Sequence, residues 1–362
     1  MSRAARKPLE LPDPAANPHL FGQEEALARW RRAWRAGRLA HAWLLSGPRG
    51  VGKTTLACRL ARLWLSGDPE HAAEADPTTP LFRQVASGAH PDFHRLAPRH
   101  KGIVRGRRAE LSAEEVRDKL ALLQQTGLSG HRRVCLIEDA EAALNEEGEN
   151  ALLKLLEEPP PGLLFLIVVQ RPGLLPPTIA SRCVGLRLRP LGEDAMRRAV
   201  AALAADLSGD PSFPALLELA EGSPGRLLEA AASGWLEAYA ALADALAREG
   251  LAARLAAAEL LAERARQEGV PATAELLGAL LRRAARVAAG RPPAIELVPG
   301  EAAMLRRLAQ ALGLDRALAM WDKLGALAAS VEGLNLDPLQ ALLPLVSSLG
   351  GAAAPARERA PS

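Results

Sequence analysis

Aromatic residues are scarce in this chain: Phe, Trp and Tyr make up 3% of its 362 residues, with a single tyrosine. Sandwiches and barrels draw heavily on aromatic and β-branched side chains, so the composition argues against an all-β fold. Cysteine is almost absent. Cys58, Cys135 and Cys183 are odd in number and far apart, which excludes a disulfide framework and a CxxC metal pair. That usage leads us to expect a reducing, cytoplasmic setting. No run of eighteen apolar residues occurs, so no membrane-spanning helix is expected. The opening stretch, MSRAARKPLELPDP, lacks the apolar centre of a secretion signal. Net charge is only +3, which permits a nucleic-acid partner without requiring one.

What the chain does have is ample material for a core. The AVILMFWYC set reaches 49% and charged residues 24%, the balance of a globular protein. The length suggests two or three domains. Short apolar runs at 41–46, 93–96, 134–137, 163–169 and 184–188 read as strands. Helical patterns at 23–36, 55–65, 111–125 and 145–158 fall between them, the third with Ser112 and Glu115 at capping-box spacing. Residues 66–90, rich in Gly, Pro, Asp and Ser, read as a loop. Strands alternating with helices imply a parallel sheet in a three-layer α/β domain. After residue 190 strand-like runs vanish and Ala/Leu helices take over. The expected divisions are an arm at 1–16, an α/β core at 17–190, a small helical segment at 191–240, a larger helical block at 241–348 and a tail at 349–362. Trp321 is expected in the core of the larger block.

The chemistry concentrates in a few segments. Gly47, Pro48, Arg49, Gly50, Val51, Gly52, Lys53 and Thr54 match GxxxxGK[ST], a phosphate-binding loop. Its glycines let backbone N–H groups curl around phosphate oxygens, and the helix that follows offers its positive end. Lys53 is placed to reach the β- and γ-phosphates, and Thr54 to hold Mg²⁺. Glu138 and Asp139 close a buried strand, where P-loop proteins keep one acid for the metal and one for the attacking water. A Gly-rich turn that binds nothing, and solvated carboxylates at a strand end, are the bland readings of the same residues. Arg182, in Ser181-Arg182-Cys183, is either a solvated arginine or one that reaches a neighbour's phosphate. Arg226 sits in a helix's first turn, unfavourable to the dipole, which hints at an anion nearby. The 95–108 stretch carries six Arg/Lys and no acid, and reads as a solvated loop or a track for phosphate backbone. Without interleaved aromatics it does not suggest base stacking.

Together, HAWLLSGPRGVGKTTLA (41–57), HPDFHRL (90–96), RRVCLIEDAEAALN (132–145), NALLKLLEEPPPG (150–162), LPPTIASRC (175–183) and EGSPGRLL (221–228) resemble the clamp-loader branch of the AAA+ ATPases. Within that branch they resemble most the bacterial DNA polymerase III delta-prime family. NPHLFGQEEAL (17–27) and the stretch 321–343 also look like the family, so the resemblance runs over residues 17–345.

The resemblance implies a RecA-like nucleotide-binding core, a small helical lid and an all-α collar. It implies a subunit of a hetero-pentamer that loads the sliding clamp onto primed DNA, part of a DNA polymerase III holoenzyme with no polymerase site and no membrane association. By position, Arg182 looks like the family's trans-acting arginine and Arg226 like its lid sensor. Gln23 sits where the family holds adenine, and Gln170 near the sensor after the fourth strand. Thr55 completes the nucleotide set, with ATP and Mg²⁺ as implied ligands. Two departures matter. The acids read Glu138-Asp139, the reverse of the usual Asp then Glu, so ATP binding with weak or absent hydrolysis is expected. The four-cysteine cluster of many relatives is missing, so no zinc is expected. Rival readings are a self-sufficient homo-oligomeric AAA+ remodeller, which would need a regular acid pair and an aromatic threading loop, and a small-molecule kinase, which the long helical block disfavours.

Overall fold

The computed structural model describes residues 13–97, 116, 119–120, 123, 132–144, 146–248, 250–334 and 337–349. The first twelve residues of the expected arm, most of the basic stretch, most of the 111–125 helix and the tail from 350 on lie outside these. The described chain forms two bodies. One holds residues up to Phe213 together with Ala220–Ala232; the other holds Pro214–Leu219 and residues from Ser233 on.

The first body is built on a five-stranded parallel sheet in the order β2-β3-β4-β1-β5. The strands are β1 (Ala42–Ser46), β2 (Phe93–Leu96), β3 (Arg133–Ile137), β4 (Leu163–Val169) and β5 (Val184–Arg187). Each expected strand is present. β4 is LLFLIVV and is buried at every position, as a central parallel strand covered on both faces requires. Phe165, Ile167 and Val169 join Leu152, Leu155 and Leu156 of the helix Glu146–Glu157 in one cluster. Burying each such side chain is worth about 1.5–3 kcal/mol against leaving it in water.

Two local readings change. The helix after the phosphate loop, Lys53–Ser66, starts two residues earlier than its apolar pattern suggests. The 66–90 segment is not all loop: it contains a helix, Pro80–Ser87, between a Thr79 cap and a left-handed Gly88. Thr79 accepts from the Phe82 N–H, Pro80 begins the helix, and Phe82 and Val85 are buried. The residues that suggested loop are this helix's punctuation. A further short helix, Ala140–Ala143, follows directly on Asp139.

The thiols fit a packed interior. Burial pushes Cys58 and Cys135 up to about 12 and the half-buried Cys183 to about 11.

The second body is helical: Trp235–Ala247, Leu251–Glu268, Val270–Ala288, Glu301–Leu334 and Pro338–Ser348. Trp235–Ala247 runs unbroken through residue 240. The buried Glu301 accepts from Tyr239 Oη at 2.6 Å, Arg283 Nε at 2.6 Å and the Leu297 N–H at 2.7 Å, so its charge is paired and bonded. Trp321 is not in the core. It is 43% exposed, like Leu314 and Leu318 on the same helix, with the Arg282 guanidinium 5.8 Å from its ring centre. The helix breaks at Gly313, φ +65°, which resets the helical phase before Trp321.

Candidate nucleotide site

The loop 47–54 joins the end of β1 to the start of the helix Lys53–Ser66. Gly52, with φ +97°, precedes the first helical residue and has nothing within 4 Å of where a Cβ would lie. This is a cradle left open on the side of the helix's positive end, which suits phosphate oxygens. Gly50 is needed for a different reason. A Cβ there would come within 2.7 Å of the Arg226 N–H nitrogen, and one on Gly225 within 2.7 Å of Gly50 Cα. The Gly225 N–H donates to the Gly50 carbonyl at 2.9 Å, so the helix Pro224–Ala232 begins directly against the loop. Arg49 adds an ion pair to Glu229 of that helix at 3.1 Å.

Lys53 is 6% exposed, and its Nζ donates to the Gly47 and Pro48 carbonyls, both at 2.8 Å. Burial lowers its pKa to about 8, against a partial opposing pull from Asp139 and Glu141. Thr54 Oγ1 donates to Glu138 Oε2 at 3.2 Å. Glu138 thus occupies the corner where a metal acid is expected. Asp139, in a left-handed conformation at φ +45°, accepts from Gln170 Nε2 at 2.8 Å. The loop, both acids and Gln170 therefore form one constellation. Val51 and Thr55 are buried beside it and pack rather than face outward.

Gln23 precedes the helix Glu24–Arg35; it is 3% exposed and uses its amide to donate to the Arg189 carbonyl at 2.8 Å, tying that helix start to the segment after β5. Arg226 reaches Glu221 at 3.0 Å, so at least one anion near its helix start comes from this chain. Arg182 lies apart. It precedes β5, whose Val184 pairs with Trp43 and whose Arg187 pairs with Ser46, the residue before the loop. In a parallel pair that puts Arg182 at the opposite end of β5 from the phosphate loop, more than about 10 Å of strand away. Its guanidinium bonds Glu157 at 2.6 Å and the Thr178 carbonyl at 2.9 Å, and it stays 37% exposed.

Two participants went unnoticed in the sequence. Arg95, read there as part of a basic track, turns inward: its Nε bonds Glu138 Oε1, and its Nη1 lies 3.2 Å from Asp13. Glu141 accepts from the Gln170 and Arg171 N–H groups at 2.7 and 3.0 Å. Strand register brings Arg95 there: it pairs with Leu136 across β2 and β3, so Glu138, two residues on, points to the same face.

The residues fit a nucleotide's phosphates: an open glycine cradle, a helix start and a buried lysine converge there. They fit a divalent ion less well, because the Glu138 carboxylate is already paired with Arg95.

Comparison with known proteins bears on the same core. Residues 22–192 match the model of the family described as DNA polymerase III, delta subunit. A DNA polymerase III subunit delta' of Pseudomonas aeruginosa is 38% identical over 157 residues, 43% of this chain and 45% of that protein. The delta' subunit of Escherichia coli is 32% identical over 197 residues, 54% and 56% of the two chains. The tau subunit of the same organism is 33% identical over 178 residues, 49% of this chain and 26% of that one. The chain spans about half the length of the delta' relatives it matches, and residues 22–192, which match the family model, contain the phosphate loop, Glu138, Asp139, Gln170 and Arg182. Among the described residues, no helix is long and apolar enough to cross a membrane.

Proposed function

We propose that this chain, whose core is of the DNA polymerase III delta-prime type, serves as a clamp-loader subunit. It would join other loader subunits in a hetero-pentamer that sets the sliding clamp on primed DNA. In that assembly it binds nucleotide at its own loop, turns it over weakly, and lends Arg182 to a neighbour.

The observation that carries this reading is the separation of the two phosphate-directed features on one sheet. The loop leaves the C-terminal end of β1, while Arg182 enters at the N-terminal end of β5. An arginine placed so can act on phosphate only if the phosphate belongs to another subunit. Weak turnover follows from the acids. Asp139 is one methylene shorter than glutamate and is held by Gln170, and Glu138 is held by Arg95. ATP, when bound, supplies the reacting γ-phosphate; Lys53 and the loop N–H groups hold and orient it. The exposed Leu314, Leu318 and Trp321 fit a helical block that packs against neighbouring subunits.

Mixing the full chain with the loader ATPase subunits of the same cell tests this. One stable complex by size exclusion is expected, with the chain alone running as a monomer or weak self-associate. A stable homo-hexamer of the chain alone would contradict it.

The lysine makes a second expectation. Phosphate contact keeps Lys53 charged, whereas in the free chain it titrates near 8. Binding should therefore take up a proton above pH 8 and weaken as pH rises further, by at most about tenfold per pH unit. Calorimetry of ATP binding at pH 9 in two buffers of different ionisation enthalpy should reveal net uptake, largely gone at pH 6.5. Equal heats in both buffers at pH 9 would refute the assignment.

A further inference from the structure

The metal corner of the site carries a cation of its own. Glu138 accepts from Thr54 Oγ1 through one carboxylate oxygen at 3.2 Å and from Arg95 Nε through the other. Arg95 is fixed on its far side by Asp13, whose two oxygens lie 3.2 Å from Nη1. Its backbone is fixed as well, since Arg95 belongs to β2 and its carbonyl accepts from Lys119 Nζ at 2.9 Å. The side chain is 24% exposed and Glu138 15% exposed. Burial works against the Arg95 charge, but the hydrogen bond and attraction of Glu138 outweigh it, and the guanidinium is held above its ordinary range.

We propose that Arg95 stands in for the divalent cation, so that this chain binds nucleotide triphosphate without needing Mg²⁺. The inference rests on the phosphate loop being a nucleotide site, and it assigns the form in which the nucleotide is taken.

Three physical points support it. A divalent ion in this corner needs the Glu138 carboxylate, directly or through its waters, and loses hydration to get it. Arg95 already neutralises that carboxylate with a permanently charged, planar fork. An arginine on the same carboxylate as the threonine hydroxyl also repels a second cation, and in a half-buried corner that repulsion is weakly screened. Of the other acids near Lys53, Asp139 is held by Gln170, and Glu141 accepts two backbone N–H groups through Oε1 while its buried Oε2 makes no hydrogen bond.

The test is equilibrium binding of ATP to the full chain, once in millimolar Mg²⁺ and once in EDTA, for the parent, Arg95→Ala and Arg95→Gln. Glutamine keeps a hydrogen-bond donor for Glu138 should alanine not fold. The parent dissociation constant should change less than about threefold between the two conditions. Each variant should bind at least about tenfold more tightly with Mg²⁺ than with EDTA. Parent binding that strengthens tenfold or more with Mg²⁺ would overturn the proposal while leaving the nucleotide site standing. Variants as insensitive to Mg²⁺ as the parent would overturn the role of Arg95. A parent that binds ATP in neither condition overturns the proposal and the nucleotide site together.

Discussion

Lys53→Ala should cost most of the nucleotide affinity while leaving the fold at least as stable as before. The Lys53 ammonium is the one lysine charge in the loop, and it is desolvated. Truncating one member of a desolvated charge pair costs about 2–5 kcal/mol, or roughly 30- to 5000-fold in affinity. The stability half of the expectation has the opposite sign. Below pH 8 the parent carries a buried ammonium whose pKa is depressed from 10.5 to about 8. That depression works against folding whenever both states are protonated. Between about pH 8 and 10.5 the unfolded chain binds more protons than the folded one, so parent stability gains with rising pH. Alanine lacks this term. Thermal melting at pH 7 should therefore give an equal or higher midpoint for Lys53→Ala, with the difference shrinking towards pH 10. A variant that loses binding and melts much lower at pH 7 would show a structural lysine instead.

Much of this arrangement is legible in the sequence. The central strands β3 and β4 are nearly pure Leu, Ile, Val, Phe and Cys, because a parallel sheet covered on both faces needs no alternation. The phosphate loop announces itself because glycine at 47, 50 and 52 leaves few alternatives for that backbone. Other features were hidden for physical reasons. The helix Pro80–Ser87 is only eight residues long, and its cap residues are also turn formers. The exposure of Trp321 is hidden because Ala and Leu occur on every side of Glu301–Leu334, and the break at Gly313 shifts the helical phase. Arg95 was read with its basic neighbours in sequence, whereas strand pairing in space delivers it to Glu138. Gln23 and Arg226 lie beside the loop, but their bonds to the Arg189 carbonyl and to Glu221 are visible only in three dimensions.

Arg182 carries the second large effect. Its present partners are modest ones: Glu157 is 53% exposed, and an exposed ion pair contributes little to stability. Arg182→Ala should thus leave folding and this chain's own nucleotide binding unchanged. Exchanging Glu157 for a phosphate is a small cost for a guanidinium, whose fork matches two phosphate oxygens. Arginine fingers in phosphoryl transfer contribute about 10³–10⁵ in rate, and in a loader with several sites the loss from one arginine is smaller, about tenfold. Lysine at this position should rescue poorly, because a single ammonium cannot reproduce the planar fork.

The most direct measurement is steady-state ATPase of the reconstituted loader, with clamp and primed DNA present, built with the parent chain or with Arg182→Ala. A complex that assembles normally and turns over about tenfold more slowly is the expected result. Equal turnover of the two complexes would make Arg182 a surface residue and would contradict the claim that this chain acts on its neighbour's nucleotide.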